Sequence, residues 1–168
     1  AALGVDMNGA TRRAAAISGV DFLKPTYGSV SRYGVVSCAA SGEQVGVYAK
    51  GAADISEIMN VIAGHDEKDG TSLKKEYSFA ADEAVSGKRV CIIKELVEKA
   101  DEEVKAKIAA YAEALKKCGV EVEEVSFELC DAANTTWQIL ITAETCNNVS
   151  RYDGVKYGHR ASGYKNID

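Results

Sequence analysis

Hydrophobic residues change their spacing several times along this chain, and each change marks a different kind of element. Ala1 to Val5 is a short apolar run that leads into GVDMNGATRR, which predicts a strand, a turn and a helix start. The next segment, KPTYGSVSRYG, is broken into extended pieces by Pro25, Gly28 and Gly34, and Val35 to Tyr48 reads as one or two strands. From Asp54 to Ala63 the spacing is helical. Ile55, Ile58, Met59 and Ile62 fall on one face there, and Gly64 supplies the stop. The polar run HDEKDGTSLKKEYS then reads as an exposed loop.

Beyond Lys88 the alternation becomes regular. RVCIIKE predicts a strand and VEVEEVSF another, with an amphipathic helix from Asp101 to Cys118 between them. Val104, Ile108, Tyr111, Ala112 and Leu115 share one face of that helix, Asp101 is placed to cap it and Gly119 to end it. A strand, helix and strand in this order predict a parallel pair joined by a right-handed crossover. The expected fold is therefore α/β, a mixed, largely parallel sheet flanked by helices. Ala132 to Ser150 predicts a further helix, and the glycine-rich YDGVKYGHRASGYKNID after it has no closing element. The organisation expected is one partial domain over residues 1–168. Its parts are a loop-rich chemical region at 1–64, an exposed loop at 65–87, and a β-α-β region with a C-terminal helix at 88–168.

Composition narrows the possibilities. With 168 residues, 46% of them apolar, the chain has enough material for a core without metal or disulfide. Its 25 acidic and 20 basic residues are spread evenly and sum to −5, which argues against a direct grip on a phosphate backbone. Five cysteines with no CxxC pair and no Cys/His spacing predict reduced, buried thiols and no metal site. No apolar run approaches the roughly 20 residues of a membrane span, and the first residues lack a signal-peptide layout, so the expected location is the cytoplasm, away from membranes.

Five segments follow one another in a distinctive order: GVDMNGATRRAA from Gly4, FLKPTYGSVSRYG from Phe22, SGEQVGV from Ser41, VIAGHDEKDGTS from Val61 and ETCNNVSRYDGVKYGHR from Glu144. Over essentially its whole length the chain resembles the amidase-signature family, and within it the A-subunit branch of the tRNA-dependent glutamine amidotransferases. The resemblance implies a chemistry in which a serine attacks the amide carbon of glutamine while a second serine and a lysine manage its proton. Ammonia then passes to a partner subunit that amidates Glu-tRNA(Gln) or Asp-tRNA(Asn). A serine hydroxyl needs such a base because it is a weak nucleophile at neutral pH, and backbone N–H groups at a helix start would hold the oxyanion.

The family's loop reads GSDTGGSIRxPA. Gly4, Asp6, Gly9 and Arg12 match it, whereas Val5, Asn8, Ala10 and Ala14 do not. Ala10 stands where the nucleophilic serine belongs, and a methyl group has no nucleophile to offer. Losing such a residue costs on the order of 10⁴ to 10⁶ in rate. The expectation is an inactive portion, a fragment, of such a subunit, because the family's lysine and relay serine lie upstream of this loop. Lys24, in KPTYG, is not that lysine. The resemblance assigns the oxyanion loop to the backbone of Met7, Asn8, Gly9 and Ala10, and Asp6 and Arg12 to loop support or substrate contact. Asn8 stands where the family has the first of its paired glycines and is tolerable there, since asparagine is the non-glycine residue best suited to left-handed conformations. Thr11 is the one substitute hydroxyl nearby.

His65 and His159 lie in the AGHD and YGHR segments and read as structural, as do the thiols of Cys38 and Cys146. The GVDMNGA loop fits neither of the glycine-rich nucleotide-binding patterns. No cofactor is expected in this chain, since ATP and Mg would be used by a partner subunit. The expected partners are other amidotransferase subunits and glutamine or a small amide, with tRNA only indirectly. Two other readings share these residues. One is a non-catalytic, amidase-derived binding or interaction domain, suggested by SGEQVGV in place of the family's SLDQIGP and by Trp137 and Gln138 in place of paired tyrosines. The other is a small-molecule amidase completed by a second chain.

Overall fold

The change of pattern before Lys88 corresponds to a physical division of the chain. In the computed structural model, which describes residues 1–81, 84–163, 165 and 166, Ala1–Ala81 and Ile139–Asp168 form one unit and Asp82–Gln138 another.

The first unit contains β1 (Ala2–Asp6), α1 (Ala10–Ser18), β2 (Asp21–Leu23), β3 (Gln44–Ala49) and α2 (Ala52–Ile62). β3 lies between the other two strands and is antiparallel to both. Alternation along β3 puts Val45, Val47 and Ala49 on one face. Val47 and Ala49 meet Ile55 and Met59 of α2 there, with Val30 completing the core and Leu23 and Val45 at its margin. Each large apolar side chain buried here contributes about 1.5–3 kcal/mol. On the opposite face Phe22 and Tyr48 pack with ring centroids 4.6 Å apart. Gly46 is obligatory beneath them, because a Cβ would lie 2.3 Å from the Leu23 carbonyl and 2.4 Å from the Phe22 ring.

Two expectations in this unit are corrected. Within Val35 to Tyr48 only Gln44–Ala49 is a strand. Buried Glu43 accepts the backbone N–H groups of Cys38 and Ala39, donors that a ladder would have used. The run from His65 is also more than an exposed loop, since Asp69 and Ser72 are buried. Asp69 is drawn in by accepting the Arg32 N–H, and the Ser72 hydroxyl accepts the Asp66 N–H and donates to the Gly64 carbonyl.

The second unit contains β4 (Arg89–Ile93), α3 (Lys94–Glu98), α4 (Glu102–Lys117) and β5 (Glu121–Val125), and the boundary between units falls within α5 (Cys130–Val149). β4 and β5 pair in parallel, Arg89 opposite Glu121 through Ile93 opposite Val125, as the β-α-β reading requires. The end of RVCIIKE turns helical at Lys94. Asp101 holds the N-cap position of α4, yet its side chain makes no capping bond. The buried stripe of α4 is narrower than its sequence pattern: Ala112 is buried, Ile108 and Leu115 are half-buried, and Val104 and Tyr111 are exposed.

The fold is mixed α/β with helices flanking the sheets. Among the described residues parallel pairing is confined to β4 and β5, so the expectation of a largely parallel sheet gives way in the first unit, where β3 inserts between β1 and β2 and runs against both. All five cysteines are free, but Cys91, Cys118 and Cys146 are exposed where burial was expected. Among the described residues no helix is long and apolar enough to cross a membrane.

Candidate functional site

The loop from β1 to α1 is organised by the last residue of the strand. Asp6 is fully buried. Its Oδ1 accepts the Gly9 N–H at 2.6 Å, and its Oδ2 accepts the Arg12 N–H at 3.1 Å and the Arg12 Nε–H at 2.8 Å. Burial opposes ionisation of Asp6, but the Arg12 guanidinium and these two N–H groups outweigh it and hold the carboxyl below the usual range. Gly9 caps α1 with φ 86°, a left-handed step that suits glycine. Asn8 does not take that role, because no non-glycine residue among those described has positive φ. The tolerance of asparagine for left-handed backbone is not called upon here, and the matched Gly9 bears the turn.

Lys24 joins this group. Burial and the nearby Arg12 charge lower its pKa, while Asp6 acts in the opposite direction. The sequence set it aside as the wrong lysine, and no local pattern announces its approach across the sheet. Gly4 lets Thr11 and Tyr48 come close: a Cβ there would lie 2.8 Å from the Tyr48 ring and 2.9 Å from the Thr11 methyl.

Ala10 is the exposed first residue of α1. Next to it the Thr11 hydroxyl donates to the Val5 carbonyl at 2.6 Å, and the Tyr48 hydroxyl donates to the Thr11 carbonyl at 3.0 Å. A backbone carbonyl cannot take up a proton as a general base does, so this arrangement gives Thr11 no activation. Of the four backbone positions assigned to the oxyanion loop, Met7, Asn8, Gly9 and Ala10, the Gly9 N–H is already committed to Asp6.

A second polar assembly was not legible beforehand. Asp69 accepts the Arg32 N–H at 2.8 Å, the Thr71 N–H at 2.9 Å and the Thr71 hydroxyl at 2.7 Å, with the Arg32 Nε at 3.5 Å. The Arg32 guanidinium also donates to Thr71 Oγ1 and the Ala40 carbonyl and lies over the Tyr27 ring. Ser31 donates to Asp66 at 2.6 Å. Burial pushes the Asp69 carboxyl up, but the donors from Thr71 and Arg32 hold it far below the ordinary carboxylate range. The neighbouring stretch 37–43 is fastened from inside by Glu43 and from α5 by Glu144, which accepts the Ser41 N–H at 3.0 Å, and by Asn148, which donates to the Cys38 carbonyl at 3.1 Å. Glu43, Glu144 and Asn148 lie in the quoted segments, but nothing local assigned them these partners.

A cavity of about 190 Å³ lies between these pieces, lined by Arg32, Glu43, Lys68 and Asp69 among others. Its carboxylates are occupied by the donors just named. His65 and His159 are both exposed. The Cys38 thiol lies 3.7 Å from the Thr145 hydroxyl. Among the described residues no group of three or more His, Cys, Asp or Glu is placed to hold a metal ion.

Comparison with known proteins adds an independent line of evidence. The family model described as Amidase matches residues 1–168. Over 172 residues the chain is 39% identical to the A subunit of the glutamyl-tRNA(Gln) amidotransferase from Latilactobacillus sakei, covering 100% of this chain and 35% of that protein. It is 40% identical to the same subunit from Nitrosomonas eutropha, again over 100% of this chain and 35% of the relative. The crystal structure of that subunit from Thermotoga maritima superposes with a TM-score of 0.81 at 33% identity, over 92% of this chain and 34% of that one. A peptide amidase from Stenotrophomonas maltophilia, at 23% identity and a TM-score of 0.72 over 90% of this chain and 32% of that one, shares the fold. The chain thus spans about 35% of the length of the curated relatives it matches.

Proposed function

This chain belongs to the Amidase family along its full length, and from that premise we propose that it is a portion of the A subunit of a glutamine-dependent tRNA amidotransferase that has lost the acyl-enzyme step. One observation carries the loss. The residue at the helix start, where the resemblance puts the nucleophile, is Ala10, and the hydroxyl of the next residue, Thr11, is bonded to the Val5 carbonyl. The similarity to named amidotransferase subunits supports the choice of branch. On this reading glutamine or a small amide is the ancestral ligand. Other amidotransferase subunits are the partners, tRNA is met through them, ATP and Mg belong to a partner, and the setting is cytoplasmic.

What the loop retains is its shape. Asp6 holds the Gly9 and Arg12 N–H groups in place, so the turn is preorganised although its nucleophile is gone. That retention favours a second reading, a non-catalytic domain that binds an amide or a partner with the same loop. Ammonia release from glutamine by the purified chain separates activity from silence. The expected result is no release above a protein-free blank. Trapping a covalent adduct on residue 10 or 11 with an amide-mimicking electrophile would overturn the proposal. For the second reading, calorimetric titration with glutamine is expected to show binding that is lost in Asp6→Ala.

A further inference from the structure

The cavity of about 190 Å³ beside Arg32 shares no lining residue with the β1–α1 loop and lies wholly within the first unit. Four charged side chains line it, Arg32 and Lys68 against Glu43 and Asp69. Their hydrogen bonds decide what kind of ligand fits. A carboxylate offers about four lone-pair positions. On Asp69 the Arg32 N–H, the Thr71 N–H and the Thr71 hydroxyl fill three, and the Arg32 Nε faces the fourth at 3.5 Å, an ion pair without a hydrogen bond. On Glu43 the Cys38 and Ala39 N–H groups and the Ser37 hydroxyl fill three, which leaves one. A metal cation, which needs several free oxygens, is poorly served by that single position.

Donors, by contrast, are in surplus. The Arg32 guanidinium has acceptors in the Ala40 carbonyl and Thr71 Oγ1, and its buried Nε has no hydrogen-bond partner. Lys68 holds its ammonium over the Tyr33 ring, 5.0 Å from the centroid, and its ammonium N–H groups meet no hydrogen-bond acceptor among the described residues. Such a lining suits an oxyanion with one proton to give. An amino group carrying three N–H donors would find one acceptor, whereas the P–OH of phosphate needs only one.

We propose that this cavity binds inorganic phosphate, with Lys68 and the Arg32 guanidinium donating to its oxygens and Glu43 accepting its P–OH. Sulfate and a phosphomonoester at about pH 8 match phosphate in charge but carry no such proton, since the monoester loses it near pH 6. Either would set an unprotonated oxygen against the Glu43 carboxylate.

Calorimetric titration of the whole chain at about pH 8 and matched ionic strength, with sodium phosphate, sodium sulfate and glycerol phosphate, tests the assignment. Phosphate is expected to give a saturable one-site isotherm, more than about tenfold tighter than the other two. Lys68→Ala is expected to weaken phosphate binding while keeping the circular dichroism and thermal midpoint, because Lys68 is exposed. Glu43→Gln, whose amide can donate to an unprotonated oxygen, is expected to abolish the preference for phosphate over sulfate. No saturable phosphate binding overturns the proposal. So do equal affinities for the three anions, an unchanged isotherm in Lys68→Ala, or a folded Glu43→Gln variant that keeps the full preference. If Glu43→Gln fails to fold, the order of the three anions and Lys68→Ala decide. Glutamine plays no part in these titrations, so their outcome is independent of the loss of catalysis at Ala10.

Discussion

The two polar assemblies of the first unit use one device in two settings. In each, a buried aspartate accepts an arginine's backbone N–H and faces the same arginine's guanidinium: Asp6 with Arg12, and Asp69 with Arg32. The first pair spans six residues and shapes a single turn, and its arginine side chain is 52% exposed. The second spans 37 residues and joins two separate segments, and its arginine is only 12% exposed. Proximity in sequence makes the first a local brace that tolerates water. The second is a tertiary fastening in which each charge depends on the other.

The most severe way to break this comparison is Asp69→Ala, which strands Arg32 in a largely dry site. A loss of about 3–5 kcal/mol is expected in urea denaturation, and a loss below about 1 kcal/mol would put the two assemblies on equal terms. Acidification addresses both carboxylates together. Their folded pKa values are depressed, so their contribution is complete above the unfolded carboxylate value of about 3.9 and is lost as pH falls through the folded values. Stability should be level from about pH 7 to 5 and decline below about pH 4, with a shallower decline in Asp69→Asn.

Asp6→Ala is expected to cost less, about 1–3 kcal/mol, because its donors can turn to solvent. Its signature is faster amide exchange at Gly9 and Arg12 without change around Arg32. Arg12→Lys, which alters only the half-exposed member, should cost below about 1 kcal/mol, and an effect as large as that of Asp69→Ala would erase the distinction. The smallest effect is expected for Ala10→Ser, within about 0.5 kcal/mol by thermal denaturation because the position is exposed. That variant should still release no ammonia from glutamine, since a hydroxyl without a base is a poor nucleophile.

The same contrast explains what could be read from the amino acids alone. In the β1–α1 loop Asp6, Gly9 and Arg12 fit a known pattern within seven consecutive residues, and the structure joins them by hydrogen bonds. Helix α2 and the parallel pair β4–β5 followed from spacing and punctuation, since Met59 and Ile55 point to one side and Gly119 ends α4. The pattern offered two glycine positions in this loop, and of the two, Gly9 takes the left-handed conformation while Asn8 does not need it. Residues 35–43 resembled a strand by composition, yet the buried carboxylate of Glu43 outcompetes a ladder for their N–H groups. Asp69 and Lys24 acquire their surroundings only when distant segments meet, so no local window could reveal them.

The fastening of residues 37–43 by α5 has a consequence for how the chain is made. Glu144 reaches Ser41 and Asn148 reaches Cys38 across separations of 103 and 110 residues. During synthesis at roughly 5–20 residues per second, the earlier segment waits on the order of ten seconds before these clasps exist. Through that interval Ser41 and Cys38 lack the contacts that later fix them, so a ribosome pausing before residue 144 would leave an already translated stretch available to chaperones and proteases.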